Sequence, residues 1–252
     1  MSFELAVDDV KFFKQCVDAI VNLIDEGTLE LGPDEVGVRA MDPSQIAMVV
    51  FSLPKKAFSA YKVAGESMRI GVNFSELGKV LARARSGDKL TLKKDENKLV
   101  LEFKGEGHRR KFSLPLLEAG AAAQREPKIE HDALVKMKGG EFKDLLRDVA
   151  LVSTHLTLEA KGNSFSVFAR GDSAELESEA EKSEKKGSAF EVDAKKEARA
   201  TFPLQYLDDI VKACPEDSIL TTHLRTNAPV KIEYKIGDAS LTYYLAPRIE
   251  SE

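Results

Sequence analysis

The sequence predicts an α+β fold of two similar domains, each an antiparallel sheet covered on one face by two helices. Two observations carry this. A helix-period block, Phe74, Leu77, Val80, Leu81 and Leu90, recurs as Leu204, Leu207, Ile210, Val211 and Leu220, each pair 130 positions apart. A second block, Phe13, Cys16, Val17 and Ile20, recurs as Phe142, Leu145, Leu146 and Val149 at an offset of 129. Two blocks in one order at nearly one offset make the 252 residues read as two copies of a unit of roughly 125.

The elements follow in order. Residues 2–7 alternate as a strand. Asp8 or Asp9 caps a helix running to about Ile24 on Val10, Phe13, Val17, Ile20 and Ile24, with Gly27 as its stop. Residues 28–42 read as two short strands about Gly32-Pro33-Asp34, and residues 46–53 as a buried strand. Asn73 caps a helix over 74–85, closed by Ser86-Gly87-Asp88, and residues 89–103 form a hairpin about Asp95-Glu96-Asn97. Residues 110–117 look like an edge strand, where Pro115 is tolerated. The weakly patterned stretch 118–128 reads as a connector between domains 1–117 and 129–252.

The second half repeats the plan. It has a strand at 133–137, a helix over 141–153 after Gly139-Gly140, and a hairpin about Lys161-Gly162-Asn163. A helix over 204–214 follows Pro203, and strands lie at 230–236 and 240–246. The charge-rich stretch 172–198 fits an exposed edge strand with a mobile loop, or a short disordered insert.

Composition narrows the function. No apolar run approaches the ~20 residues of a bilayer span, and the N-terminus lacks the pattern of a signal peptide. Cys16 and Cys214 occupy apolar helix positions and read as core residues in a reducing compartment. A soluble intracellular protein is expected. A net charge of −5 argues against a generally basic nucleic-acid binder but leaves room for a basic stripe. His108, His131, His155 and His223 lack metal-ligand spacing, no phosphate-binding glycine motif is present, and Ser52 and Ser153 lack a nucleophile-elbow context. Asp208-Asp209 reads as a solvated helix face. No catalysis, cofactor or metal is expected. Every helix nevertheless presents cations: Lys11 and Lys14, then Lys79, Arg83 and Arg85, then Lys143 and Arg147, then Lys212. They form either an ordinary mixed-charge surface or one concave face toward a polyanion.

At this point longer motifs become specific. MDPSQIAMVVFSLPKKAF (41–58) resembles the Met-Asp-x-Ser-x-(Ile/Val) segment of the DNA sliding clamps, the proliferating-cell nuclear antigen family. GVNFSELGKVLARA (71–84) resembles the family's second helix, while VKIEYKIGD (230–238) and YYLAPRIESE (243–252) resemble its C-terminal part. The likeness runs through nearly the whole chain, with the texture of the archaeal branch.

The resemblance implies a non-catalytic processivity factor: a head-to-tail trimeric ring of this clamp fold, with helices lining a hole for double-stranded DNA. It implies docking peptides from DNA polymerase, clamp loader, nuclease and ligase, for replication and repair. The cellular place would be cytoplasmic beside the nucleoid, or nuclear in a eukaryote. The alternatives are a specialised clamp-like adaptor, one subunit of a heterotrimer, or an unrecognised hydrolase.

Carried over by position, the peptide pocket comprises Met41, Gln45, Ile46, Met48, Ile129, Pro229, Tyr244, Leu245, Ala246, Pro247, Arg248 and Ile249. The alternative reading of Ile46, Met48 and Leu245, less favoured by type and spacing, is that they are core. The connector departs from the family pattern, because Ala121-Ala122-Ala123 precedes Gln124-Arg125-Glu126-Pro127 and only Ile129 supplies a large apolar group. For DNA, Lys14, Lys79, Arg147 and Lys212 are family-like; Lys11, Arg83, Arg85 and Lys143 come from helix geometry. Loose contacts of order ~10⁻⁴–10⁻⁶ M suit sliding. Subunits would meet through Arg109, Arg110, Phe112 and Leu114 on a basic edge, and Leu176, Glu177 and Glu179 on an acidic one.

Overall fold

The computed structural model describes residues 2–120, 124–182 and 189–248. It divides into two units: Met1–Pro43, Val49–Arg125 and Ile236–Leu241 in the first; Ser44–Met48, Glu126–Lys235 and Thr242–Glu252 in the second.

The first unit runs β1 (Phe3–Val7), α1 (Val10–Val21), β2 (Glu26–Leu31), β3 (Glu35–Met41), β4 (Ala47–Pro54), a 3₁₀ turn (Lys55–Ala57), β5 (Ala60–Val63), β6 (Met68–Asn73), α2 (Phe74–Leu81), β7 (Lys89–Asp95), β8 (Lys98–Gly105) and β9 (His108–Pro115). One antiparallel sheet has the order β5-β1-β7-β8-β9, and β4-β3-β2-β6 form a second layer.

The C-terminal half of the chain, which makes up most of the second unit, runs β10 (Ala133–Lys138), α3 (Gly139–Ala150), β11 (His155–Lys161), β12 (Ser164–Arg170), β13 (Glu175–Glu181), β14 (Glu191–Ala194), β15 (Ala198–Pro203), α4 (Leu204–Val211), β16 (Ile219–Leu224), β17 (Val230–Ile236) and β18 (Ala239–Leu245), the tip of the last hairpin belonging to the first unit. Its strands take the orders β14-β10-β16-β17-β18 and β13-β12-β11-β15. Element for element, this is the topology of the first unit, so the repeat read from apolar spacing is a repeat of fold.

Local chemistry explains the boundaries. The Asp9 carboxylate accepts the Phe12 N–H at 3.0 Å and starts α1; the Asn73 side-chain oxygen accepts the Glu76 N–H at 2.8 Å and starts α2. The sequence placed the end of α1 near Ile24 with Gly27 as its stop. The helix instead ends at Val21, where the Leu23 and Ile24 amides fold back onto the Ile20 carbonyl, both at 3.0 Å. Gly27 lies inside β2, where a Cβ would come 3.1 Å from the Phe74 ring. Helix α2 ends at Leu81, not Arg85, because the Asp88 carboxylate takes the Arg85 N–H at 2.7 Å and closes the turn.

Helix α3 begins at Gly139, earlier than the glycine pair suggested. A Cβ there would come 2.6 Å from both Cys214 Sγ and the Pro215 carbonyl oxygen, so only glycine lets α3 start this close to the end of α4. Strands β5, β6, β14, β15 and β16 were not read from the sequence. Part of the expected loop or insert, 183–188, lies outside the described residues.

Each unit is built on large buried side chains, among them Phe74 and Phe103 in the first and Phe142, Phe165, Phe202 and Tyr243 in the second. Burying one such group contributes ~1.5–3 kcal/mol. Cys16 and Cys214 are buried free thiols whose pKa values burial pushes up to about 12, which leaves them as unreactive packing groups.

Candidate nucleic-acid and partner-docking surfaces

Helices α1 and α2 pack against each other in the first unit, as α3 and α4 do in the second. Buried Phe13, Cys16, Val17 and Ile20 turn one face of α1 inward and leave Lys11 and Lys14 on the other. Lys14 reaches Asp18 at 2.5 Å, Lys79 reaches Glu76 at 2.7 Å, and Arg147 reaches Asp144 at 2.5 Å. Glu76 holds the Lys79 ammonium above the usual lysine range. Such exposed one-turn pairs are weak and screened by solvent, so phosphates can displace them readily. Lys11, Arg83, Arg85 and Lys212 are exposed, and no ion pair involves them among the described residues.

Lys143 behaves differently from its expected role. Its ammonium donates to the Cys214 carbonyl at 2.6 Å and the Lys212 carbonyl at 3.2 Å. It closes the C-terminal end of α4, where carbonyls lack helical partners and the dipole favours a cation. It is a tie between helices before it is a free cation.

Strands β9 and β13 each end a sheet. In β9, Arg109, Lys111, Ser113 and Pro115 are exposed, while Arg110, Phe112 and Leu114 are half-buried on the opposite face. In β13, Glu175, Glu177, Glu179 and Glu181 are exposed and Leu176, Ser178 and Ala180 half-buried. One open edge is therefore basic and the other acidic, each with a partly apolar inner side.

Arg109 lies 2.6 Å from Glu102. Arg110 is a correction: it bonds the fully buried Asp88 carboxylate, donates to the Arg83 carbonyl at 2.8 Å and stacks 5.2 Å over Phe103. It anchors β9 to the end of α2 rather than reaching outward. Burial pushes the Asp88 carboxyl up most strongly of any single cause, but the Arg85 amide, His108 and Arg110 together outweigh it and hold the group below the usual range.

Sequence reasoning missed Leu151. It is 85% exposed just past α3, off the stripe of Phe142, Leu146 and Val149. The next residue approaches the turn before β13 so closely that a Cβ on Gly171 would sit 2.0 Å from the Val152 oxygen. The signal was available: Leu151 breaks the helical period of its neighbours.

The expected peptide-docking residues divide. Gln45 adopts a left-handed φ of 59°, which turns the chain so that Ile46 stands 37% exposed. The Ile46 carbonyl accepts the Ala246 N–H at 2.9 Å, bringing the two segments together. Pro229, Ala246, Pro247 and Ile129 are half-buried and Arg248 is exposed. Met48 and Leu245, at 3% and 0% exposure, belong to the core. Tyr244 is 7% exposed, so its ring is floor rather than wall. Its hydroxyl donates to the Glu126 carboxylate at 3.1 Å. Burial, then the Glu126 charge, pushes its pKa up to about 12. Glu126 was also missed; a carboxylate beside the connector proline was its sequence signal. Met41 is a half-buried residue at the end of β3, and Ile249 and Ala121–Ala123 lie outside the described residues. No group of three or more His, Cys, Asp or Glu side chains suited to a metal occurs among the described residues.

Comparison with known proteins agrees along the whole chain. The family model "Proliferating cell nuclear antigen, N-terminal domain" matches residues 2–119, and the C-terminal domain model matches 125–249. A DNA polymerase sliding clamp of Methanococcus maripaludis strain S2 is 34% identical over 250 residues, 98% of this chain and 99% of that one. One from Thermococcus gammatolerans is 33% identical over 252 residues, 99% of this chain and 100% of the relative. Among solved structures, the PCNA of A. fulgidus bound to the C-terminal region of FEN-1 has a TM-score of 0.87 at 27% identity, covering 99% of this chain and 100% of that one. The PCNA of Thermococcus kodakaraensis shares the fold with a TM-score of 0.89 at 24% identity, covering 98% of this chain and 100% of that one.

Proposed function

The chain belongs to the proliferating cell nuclear antigen family, and we propose that its work as a DNA sliding clamp runs through three surfaces. The observation that carries the assembly is the pair of open edges, basic β9 and acidic β13. Antiparallel pairing of β9 in one chain with β13 in the next satisfies both rows of unpaired backbone groups and closes a head-to-tail homotrimer. Exposed Leu151 supplies an apolar contact beside that seam.

The DNA-facing surface is built from Lys11, Lys14, Lys79, Arg83, Arg85, Arg147 and Lys212, with Lys143 holding α4 in place. Phosphates meet these flexible, half-paired cations without base readout, which permits sliding. Retention then depends on enclosure and not on affinity, and the clamp does no chemistry of its own.

Ile46, Pro229, Ala246, Pro247 and Arg248, floored by Tyr244, offer the docking surface for short peptides of polymerase, nuclease, ligase and clamp loader. The solved clamp with a bound FEN-1 segment supports the nuclease part of this reading. In this reading the domains are 1–117 and 129–252 with a connector over 118–128, and the working place is beside replicating DNA. Light scattering after size exclusion, followed by processive synthesis on a primed circular template, tests the proposal. A chain that stays monomeric and leaves the polymerase unstimulated would refute the homotrimer and favour a subunit needing different sister chains.

A further inference from the structure

The first unit has a second open sheet edge that the clamp reading does not use. Strand β5 ends the sheet opposite β9, and among the described residues it pairs only with β1. A cleft of about 620 Å³ lies along it, lined by residues of β1, β5, β7 and the turns at Pro33 and Lys55. Four lysines, Lys55, Lys62, Lys93 and Lys94, line it against one acid, Glu4, a net +3 on a chain whose total is −5.

These charges are unevenly spent. Glu4 takes Lys62 at 3.0 Å, and Glu102 lies 3.9 Å from Lys93. Lys55 and Lys94 have no ion pair among the described residues. The wall is firm. The Tyr61 hydroxyl lies 2.7 Å from the Gly32 carbonyl oxygen and 2.8 Å from that of Glu35, and the Lys55 ammonium stands 5.7 Å from the centre of the Tyr61 ring. Burial first, then Glu35 and Asp34, pushes the Tyr61 pKa up to about 12, so this anchor stays a neutral donor.

A lysine on an edge strand commonly serves only to keep other strands away. Lys62 alone would do that here, yet it is neutralised by Glu4, and the uncompensated cations come from the neighbouring turn and from β7. Such an edge repels a basic strand and attracts an acidic one. A phosphate chain would satisfy the lysines but leave the open backbone edge and the apolar flank of Pro33, Tyr61 and Val63 without partners. We propose that the cleft beside β5 docks an extended acidic segment of a partner protein, with acidic residues toward Lys55 and Lys94 and alternate apolar residues toward Tyr61, paired along Ala60–Val63. Four residues of β5 match a peptide core of ~13 Å.

The test uses the intact protein and a fluorescein-labelled, ten-residue peptide of alternating Glu and Val. Its counterparts are a Lys–Val peptide and a single-stranded oligonucleotide of equal charge. The Glu–Val peptide is expected to bind, and to slow amide hydrogen exchange at Ala60–Val63. The double variant Lys55→Glu/Lys94→Glu should weaken it at least tenfold with circular dichroism and oligomeric state unchanged. Lys55→Gln/Lys94→Gln, a milder change, should fall between. Undiminished binding by both variants, or no protection at Ala60–Val63, overturns the proposal. An oligonucleotide bound as tightly through the same lysines overturns it in favour of a phosphate site, and loss of assembly in the folded double variant overturns it in favour of a contact between copies.

Discussion

The helix pairs of the two units occupy equivalent places in one topology, yet they hold their cations differently. Lys14 of α1 and Lys143 of α3 are 129 positions apart, the offset of the core repeat. Lys14 folds back on Asp18 within its own helix. At the position matching Asp18 the second unit has Arg147, so Lys143 has no acid there and reaches instead to the last carbonyls of α4. Likewise Lys79 of α2 corresponds to Asp209 of α4, and Ala82 to Lys212. The core repeats because packing tolerates few alternatives, whereas surface charge is free to move once the fold is set. A polyanion that is held without base readout needs cations on the helices, not cations at fixed equivalent positions.

The contrast between the units can be broken most strongly at their edges. Glu177→Lys/Glu179→Lys makes β13 resemble β9 in charge. It should weaken assembly at least ~100-fold, about 3 kcal/mol, and Arg109→Glu/Lys111→Glu in a mixed partner should restore much of it. Sedimentation at several concentrations reads this directly, and an unaltered trimer would mean the edges are wrongly chosen.

The residues proposed for peptide docking lie in the second unit. Ile46→Ala or Pro247→Ala should cost ~2 kcal/mol in calorimetry with a glutamine-and-aromatic docking peptide, more than any change at Ala121–Ala123. Dominance of the alanine run with a silent Ile46 would relocate the site to the connector.

The helix pairs are separated by a smaller measurement. Lys143→Ala should destabilise the protein by ~1–2 kcal/mol, since two carbonyls at the end of α4 lose their donor. Lys14→Ala, in an exposed one-turn pair, should cost less than ~0.5 kcal/mol. Equal losses in urea unfolding would remove the distinction.

The smallest effect concerns acid. Hydrogen bonding from His223, then from Lys231, holds Glu233 at about 2 instead of 4.5, against the opposing effect of burial. Because the folded value lies below the unfolded one, its contribution is complete above about 4.5 and fades as pH falls toward about 2. Solvent at this half-exposed side chain reduces the size, so Glu233→Gln should flatten the melting temperature over that window by only ~2–4 °C. An unchanged profile would put the acid sensitivity elsewhere, with Asp88 of the first unit as the next carboxylate to remove.

Much of this was legible in the residues. Asp9 and Asn73 announced their helices by side-chain caps, and the hairpin at Glu96, with φ 50°, followed from Asp-Glu-Asn. Strands β5, β15 and β16 were not legible, because small or hydroxylic residues such as Ala198, Ala200, Thr221 and Thr222 carry little hydrophobic period. At the sites, residue type and spacing found the edge strands and Ile46. They could not show that Met48 and Leu245 face inward, that Arg110 is spent on Asp88, or that Glu126 meets Tyr244 across 118 positions of chain. Those facts depend on which side of a strand a residue takes and on contacts between distant segments.

Opposite charge on the two open edges also has a consequence for direction. Two acidic edges repel, as do two basic ones, so the proposed pairing of β9 with β13 would join chains only head to tail, all facing the same way. An assembly made like that has a front and a back that cannot be exchanged. In the assembly proposed above, every partner at the docking surface would be met in one orientation along the ring axis.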